Sequence, residues 1–439
     1  MAFRPYSPER GFLTRQAFFG LLLAMLIAGA GIVFWLGYRD HGTQAPEGAG
    51  PPIDAAQLIE RGRYLARVGN CMGCHTEAGG KPYAGGRALA TPFGTFYGPN
   101  LTPDPEHGLG KWSADDFWRA LHRGKAPDGS LLYPAFPYPS YRHVSRQDAD
   151  ALFAYLRSLP AIASPDRPHD LAFPYDQRWL VAVWRAFYFR PGPQETPAEG
   201  TSDAWLRGRY LVQGLAHCAE CHTPRNRLGA LVDSATLAGS LIEGQSWYAP
   251  PLTGDRATGL GEWTQQDIVD LLKTGIARRS HAAGPMAEAI RQGFQYADDA
   301  DLNAMAVYLK SLPPVGTDTA AVAAAAAPAV REAGRKLYGQ HCAQCHGENG
   351  QGQPPAWPPL AGNISVMAAS PDNAIHMVLS GGFAPATAGN PQPHGMPPFG
   401  QAMGDEDVAA VVSYIRQSWG NQASAVSLPE VRRVRRAAR

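Results

Sequence analysis

Six cysteines occur among the 439 residues, and all six fall in one pattern. Cys71 and Cys74 are followed at once by His75, Cys218 and Cys221 by His222, and Cys342 and Cys345 by His346. Two thiols three residues apart can each add to a vinyl group of one porphyrin, and the next histidine then falls beneath the iron. Cys-x-x-Cys-His therefore reads as covalent attachment of haem c. Zinc held by four thiolates and disulfides in an oxidising compartment are the rival uses of paired cysteines. Neither accounts for a histidine directly after every pair, so the expectation is three haem c groups with His75, His222 and His346 as proximal iron ligands.

An electron-transfer haem commonly carries a methionine thioether on the opposite face. Met286, in Ala283-Gly284-Pro285-Met286, lies 64 residues after His222, and Met396, in His394-Gly395-Met396-Pro397-Pro398, lies 50 after His346. These two are the expected distal ligands. Met305 and Met403 read as packing residues, Met367 and Met377 lie too early, and His394 is an alternative to Met396. The first motif has no such partner: Met72 lies inside the attachment turn, and no methionine follows His75 in its repeat. Aligned from their tryptophans, Phe136 is 24 after Trp112 where Met286 is 23 after Trp263. A phenyl ring cannot bind iron. Three arrangements stay open: a five-coordinate iron, ligation by a histidine such as His122 or His143, or a bound water or hydroxide. An open or bis-histidine site lowers the potential relative to His/Met.

The elements that must position these groups repeat along the chain. A short amphipathic helix precedes each motif, carrying Gly62 with Tyr64, Gly208 with Tyr210, and Gly334 with Tyr338. Tyr97–Thr102 (YGPNLT) echoes Tyr248–Thr253 (YAPPLT), and Gly108–Trp112 echoes Gly259–Trp263. A capped helix follows each echo, Ser113 with Asp116 and Thr264 with Asp267. Each of these two units closes with a helix stopped by proline, at Pro160 and Pro313. Three domains are expected, at 50–162, 201–314 and 329–422, with a linker at 163–200, an Ala-rich linker at 315–328 and a basic tail at 423–439. In the first linker the aromatic stretch Trp179–Phe189 reads more readily as a buried helix than as a surface for a neighbour or a membrane. In the tail, Arg432, Arg433, Arg435, Arg436 and Arg439 read as solvated, with anionic headgroups as the other use.

Net charge is +1, which excludes the basic excess a nucleic-acid partner wants. Ala17–Tyr38 is an apolar run of 22 residues, about 33 Å as a helix and enough to cross a bilayer. Arg4, Arg10 and Arg15 precede it, so residues 1–16 are expected in the cytoplasm and the rest outside. A signal peptide cleaved near Ala28-Gly29-Ala30 is the alternative.

Several segments are not demanded by haem binding: Thr91–Thr95 (TPFGT), Asn100–Asp104 (NLTPD), Tyr133–Tyr141 (YPAFPYPSY), Cys221–Arg225 (CHTPR), Gly284–Met286 and Ser418–Asn421 (SWGN). In these the chain resembles the cytochrome c subunits of bacterial membrane-bound alcohol, gluconate and related dehydrogenases, over nearly all its length after the anchor. The resemblance implies an all-α fold of three tandem cytochrome c-like domains, each wrapped around one covalent haem, behind one transmembrane helix. It implies a partner catalytic subunit of quinoprotein, flavoprotein or molybdenum type, electron delivery to ubiquinone or another respiratory acceptor, and a place in the bacterial inner membrane with the haem domains on the periplasmic side. That family has methionine where this chain has Phe136. A donor to a terminal oxidase and a haem enzyme using an open first haem are the competing readings. Nothing in the chain resembles a substrate site of its own.

Overall fold

Each haem-type motif sits under a crossed pair of helices, and a glycine lets the pair approach. Ala55–Val68 crosses Arg146–Ser158, Asp203–Arg209 crosses Asp299–Lys310, and Pro328–His341 crosses Asp405–Arg416. A methyl group at Gly62 would collide with the carbonyl oxygen of Ala151, one at Gly208 with that of Ala304, and one at Gly334 with that of Ala410. The same three glycines face the Cβ atoms of Tyr155, Tyr308 and Tyr414. The computed structural model describes residues 9–39, 54–191, 199–242, 244–315 and 323–437. Residues 1–8 of the segment read as cytoplasmic, and 316–322 of the Ala-rich linker, lie outside them.

The first two opening helices differ by one residue. Gly62 precedes Cys71 by nine positions and Gly208 precedes Cys218 by ten. The extra residue is absorbed in one π turn, Tyr210–Leu215, where the Ala216 N–H reaches back five residues to the Leu211 carbonyl at 2.8 Å. The second motif thereby keeps its orientation under the crossing. Both expected capping boxes, Ser113 with Asp116 and Thr264 with Asp267, are formed.

Units one and two share one hydrophobic core, whereas unit three has its own. The reason lies at the start of the closing helices. The Tyr210 hydroxyl donates to Asp148 and accepts from the Ser145 N–H. The Tyr64 hydroxyl donates to Asp301 at 2.6 Å and accepts from the Asp298 N–H at 3.2 Å. Each tyrosine is thus interposed in the helix cap of the other unit, between the N-cap amide and the carboxylate three residues on. Arg61 and Arg207 hold the same carboxylates from within their own units, at 2.7 and 2.8 Å. Unit three has Lys336 two residues after Gly334, and its closing helix completes its own cap, Asp407 accepting from the Gly404 N–H at 3.1 Å. It docks on unit two through polar contacts instead. Asn373 exchanges two hydrogen bonds with the Tyr248 backbone, at 2.8 and 2.7 Å.

The helices are joined by loops rich in Gly and Pro, and these carry small antiparallel pairings, so the fold is helix-rich but departs from all-α. Ala88–Thr91 pairs with Gly94–Tyr97, and Asp170–Leu171 adds to the latter. Ser240–Ile242 pairs with Trp247–Ala249, Ile276–Ala277 with Ser280–His281, and Gly382–Phe383 with Gly395–Met396. They give loop backbone groups partners where no helix can.

Within the 163–200 linker the aromatic stretch forms the helix the sequence favoured, Leu180–Tyr188, but it is buried on one side only: Val181, Ala182 and Arg185 are buried, while Trp179, Phe187 and Tyr188 are exposed. It packs on the end of the apolar helix Glu9–Tyr38: Gly37 lies against the Ala182 backbone, Arg185 donates to the Gly37 carbonyl at 2.9 Å, and Lys125 to the Tyr38 carbonyl at 2.7 Å. Two cations thus satisfy carbonyls that a helix end leaves without partners. The expectation of a solvated tail at 423–439 fails over 423–437; Arg439 lies outside the described residues. Leu428–Ala437 is a helix whose Val431 and Val434 are fully buried against unit three. Arg433 pairs with Asp372, and Arg432 and Arg435 with Asp405. Alternating apolar and basic positions at helical spacing gave it a face to bury, which a count of charges hides.

Breaking one interposed cap should loosen the first two units. Asp301→Asn is expected to cost about 3 kcal/mol, because it leaves Arg207 without its partner, and Tyr64→Phe about 1 kcal/mol. Both are read as shifts of the denaturant midpoint. Burial raises the Asp301 pKa, but hydrogen bonds from Arg207 and Tyr64 outweigh it and hold the group below the ordinary carboxylate range. Its contribution is therefore complete above about pH 4 and is lost as the pH falls through the depressed value. Asp301→Asn should remove that part of the acid sensitivity.

Candidate haem-binding sites

The three proximal histidines are oriented alike by carbonyl groups far from them in sequence. Nδ1 of His75 lies 2.8 Å from the Pro99 carbonyl oxygen, that of His222 lies 2.6 Å from Pro250, and that of His346 lies 3.0 Å from Pro358. A carbonyl only accepts, so Nδ1 carries the proton and Nε2 keeps its lone pair for a metal. Burial pushes all three imidazoles below the ordinary histidine pKa, although the same hydrogen bonds raise it. They therefore stay neutral and ligand-competent at physiological pH. Sequence reasoning missed this carbonyl. Its signal was present in the YGPNLT and YAPPLT echoes, which contain Pro99 and Pro250, and in Trp357-Pro358-Pro359.

None of the six cysteines pairs with another in a disulfide. Among the described residues no three Cys, His, Asp or Glu side chains converge as a metal cluster would require. Burial pushes Cys71 and Cys218 up to about 12. Burial, then Glu220 and the first unit's Cys74, push Cys221 up to about 11. Two attachment turns from different units thus stand within electrostatic reach of each other. Tyr141 of unit one also packs edge-on against His217, which precedes Cys218, at 5.5 Å.

One largely apolar cavity of about 510 Å³ runs from the second motif to the third and touches the first at Cys74. His222 and Met286 line one part of it and His346 and Met396 another. Met286 comes from the start of helix Gly284–Gln292, which follows a glycine at φ +54° packed on the Trp247 ring. Met396 comes from the short strand opposite Gly382. Met305, buried in the core, and Met377, which the sequence placed too early, also line the cavity, as does His394, 5.2 Å from Trp357 ring to ring. A tethered flat macrocycle with an imidazole on one side and a thioether on the other fits this lining.

At the first motif the structure places the sequence candidates differently. Phe136 is half-buried against the shared core. His122 is stacked on Trp118 at 4.2 Å, with Nδ1 3.0 Å from the Trp118 carbonyl and Nε2 2.6 Å from the Val144 carbonyl. Both its nitrogens are therefore directed at backbone. His143 lies beside Gly214 of unit two, and its Nδ1 is buried without a partner. Burial, then Arg142, Arg209 and His122, depress it to about 4.

Helix-built units with oriented histidines beside paired thiols define a c-type cytochrome, in which haem c is bound covalently. The chain belongs to the cytochrome c family, whose pattern matches residues 59–160, 206–313 and 331–419. Its relatives include the cytochrome c subunit of alcohol dehydrogenase (quinone) from Gluconobacter oxydans (strain 621H), 38% identical over 407 residues, 88% of this chain and 84% of the relative. The gluconate 2-dehydrogenase cytochrome c subunit of Pantoea cypripedii is 39% identical over 393 residues, 84% of this chain and 87% of the relative. A diheme cytochrome c-type protein of Cereibacter sphaeroides is 38% identical over 304 residues, 67% of this chain and 97% of the relative.

Removing either thioether should move one midpoint potential downward and leave the others in place. Met286→Ala and Met396→Ala are each expected to do so in a spectroelectrochemical titration. Low-temperature EPR of the oxidised protein should show a first haem distinct from the other two. Three indistinguishable His/Met signals would overturn the ligand assignment.

Proposed function

We propose that the chain is a membrane-anchored cytochrome with three haem c groups, which takes electrons from a periplasmic dehydrogenase catalytic subunit and passes them to ubiquinone or another respiratory acceptor. Cys71 and Cys74, Cys218 and Cys221, and Cys342 and Cys345 would hold the haems. His75, His222 and His346 would be the proximal ligands, and Met286 and Met396 the distal ligands of the second and third. Haem supplies the one-electron iron couple. The protein supplies the rest: neutral imidazoles locked by proline carbonyls, thioethers that favour the ferrous state, and an apolar lining that keeps water from the metals.

The observation that carries this reading is the continuity of the sites. A single cavity holds His222 and Met286 together with His346 and Met396 and reaches the first attachment turn at Cys74, so no layer of core separates the second and third sites. Such an arrangement suits a relay, not three isolated carriers. The relatives' role as dehydrogenase subunits supplies the class of donor. The apolar stretch Ala17–Tyr38, 22 residues long with mean hydropathy 2.5, supports the anchor. The exposed aromatics of Leu180–Tyr188 beside its end suit a membrane interface.

The test is to solubilise native membranes gently, capture this chain and identify its companion. A large subunit carrying a quinone, flavin or molybdenum cofactor is expected, and its substrate should reduce the captured haems and then a soluble ubiquinone analogue. Co-capture of oxidase subunits alone would overturn the dehydrogenase reading in favour of a donor to terminal respiration.

A further inference from the structure

We propose that the first haem site has no sixth protein ligand and binds small neutral π-acceptor gases on ferrous iron, carbon monoxide being the probe. This rests on the three-haem reading above. The histidines around the first motif have other partners. Within residues 54–191 the described methionine is Met72, in the attachment turn. His75 is the proximal ligand. His107 faces Glu106 at 4.0 Å, His169 accepts from the Tyr97 N–H at 3.2 Å, and both nitrogens of His122 meet carbonyls. His217, reaching in from unit two, has Nε2 on the Gly69 carbonyl at 3.3 Å. His143 has its Nδ1 buried without a partner. Its Cβ lies 3.2 Å from the Cβ position of Gly214, on the boundary between the units, and the charged groups that face it are Arg142, Arg209 and His122.

Pro134, Pro137 and Pro139 restrict the backbone of the distal loop. Tyr138 is fully buried, its ring against Gly124, which stands at φ +56°. The loop is thereby held with Phe136 where the repeat spacing, counted from Trp112 and Trp263, puts the methionine of unit two. Behind Phe136, at 5.5 Å between rings, stands Tyr141, which is 7% exposed. Burial pushes its phenol well above its ordinary pKa, so it stays a neutral group. A wall of two aromatic rings is costly ground for a buried anion but not for a neutral diatomic molecule.

The experiment uses the full chain matured with its haems. A pyridine haemochrome assay first counts haem per chain; fewer than three would fail the three-haem reading itself. With three present, carbon monoxide added to the dithionite-reduced protein should perturb one third of the haem absorbance, at one equivalent per chain. Resonance Raman should show the same third as five-coordinate and high-spin. Phe136→Met should abolish the carbon monoxide response. Three haems with no response would overturn the proposal, as would a response that appears only in His143→Ala, which would identify His143 as the sixth ligand.

Discussion

The close crossing of an opening and a closing helix is the constraint on which each unit depends. Gly62, Gly208 and Gly334 bring backbone against backbone at Ala151, Ala304 and Ala410. The attachment turn follows the opening helix within ten residues, so the depth of that crossing sets where the cysteines and histidine sit. The π turn at Tyr210–Leu215 makes the point: one added residue is bulged out, and the glycine contact is kept. From the other side, loops carrying Pro99, Pro250 and Pro358 fix the histidine rings.

Similar units need not associate in similar ways. The first two exchange a tyrosine hydroxyl into each other's helix cap, a reciprocal arrangement that merges their cores and sets Cys74 near Cys221. The third has a lysine at the corresponding place and caps itself. It meets unit two through an asparagine and through the walls of a shared cavity. The consequence is a tight pair with a docked third member.

The apolar N-terminal helix is tied into this assembly and does not merely precede it. Arg185 and Lys125 take its terminal carbonyls, and Gly37 admits the Leu180–Tyr188 helix. The exposed rings of Trp179, Phe187 and Tyr188 are then gathered beside the place where that helix ends. Amphipathic rings favour the boundary between lipid and water. The junction thus orients the cytochrome units relative to the apolar helix.

Attachment chemistry was legible in the sequence because it is local: two thiols and an imidazole must share one turn. Met286 and Met396 could be singled out because they follow landmarks that recur, and both line the cavity; the place of Phe136 in the repeat emerged from the same spacing. The helix caps at Ser113 and Thr264 are equally local. Other features depend on groups distant in the chain. Nothing in the run of residues says that a proline carbonyl 28 positions away will fix the proton on His222. Nor does it say that Tyr64 will cap a helix 237 residues on, through Asp301. The fate of His122 and His143, the burial of the C-terminal helix, and the joining of the second and third sites into one cavity were also decided by packing. By itself, then, the sequence determined where the Cys-x-x-Cys-His motifs and the candidate thioethers fall. Only the tertiary structure decided which nitrogens keep their lone pairs and which sites adjoin, because those depend on where distant backbone carbonyls and side chains come to rest.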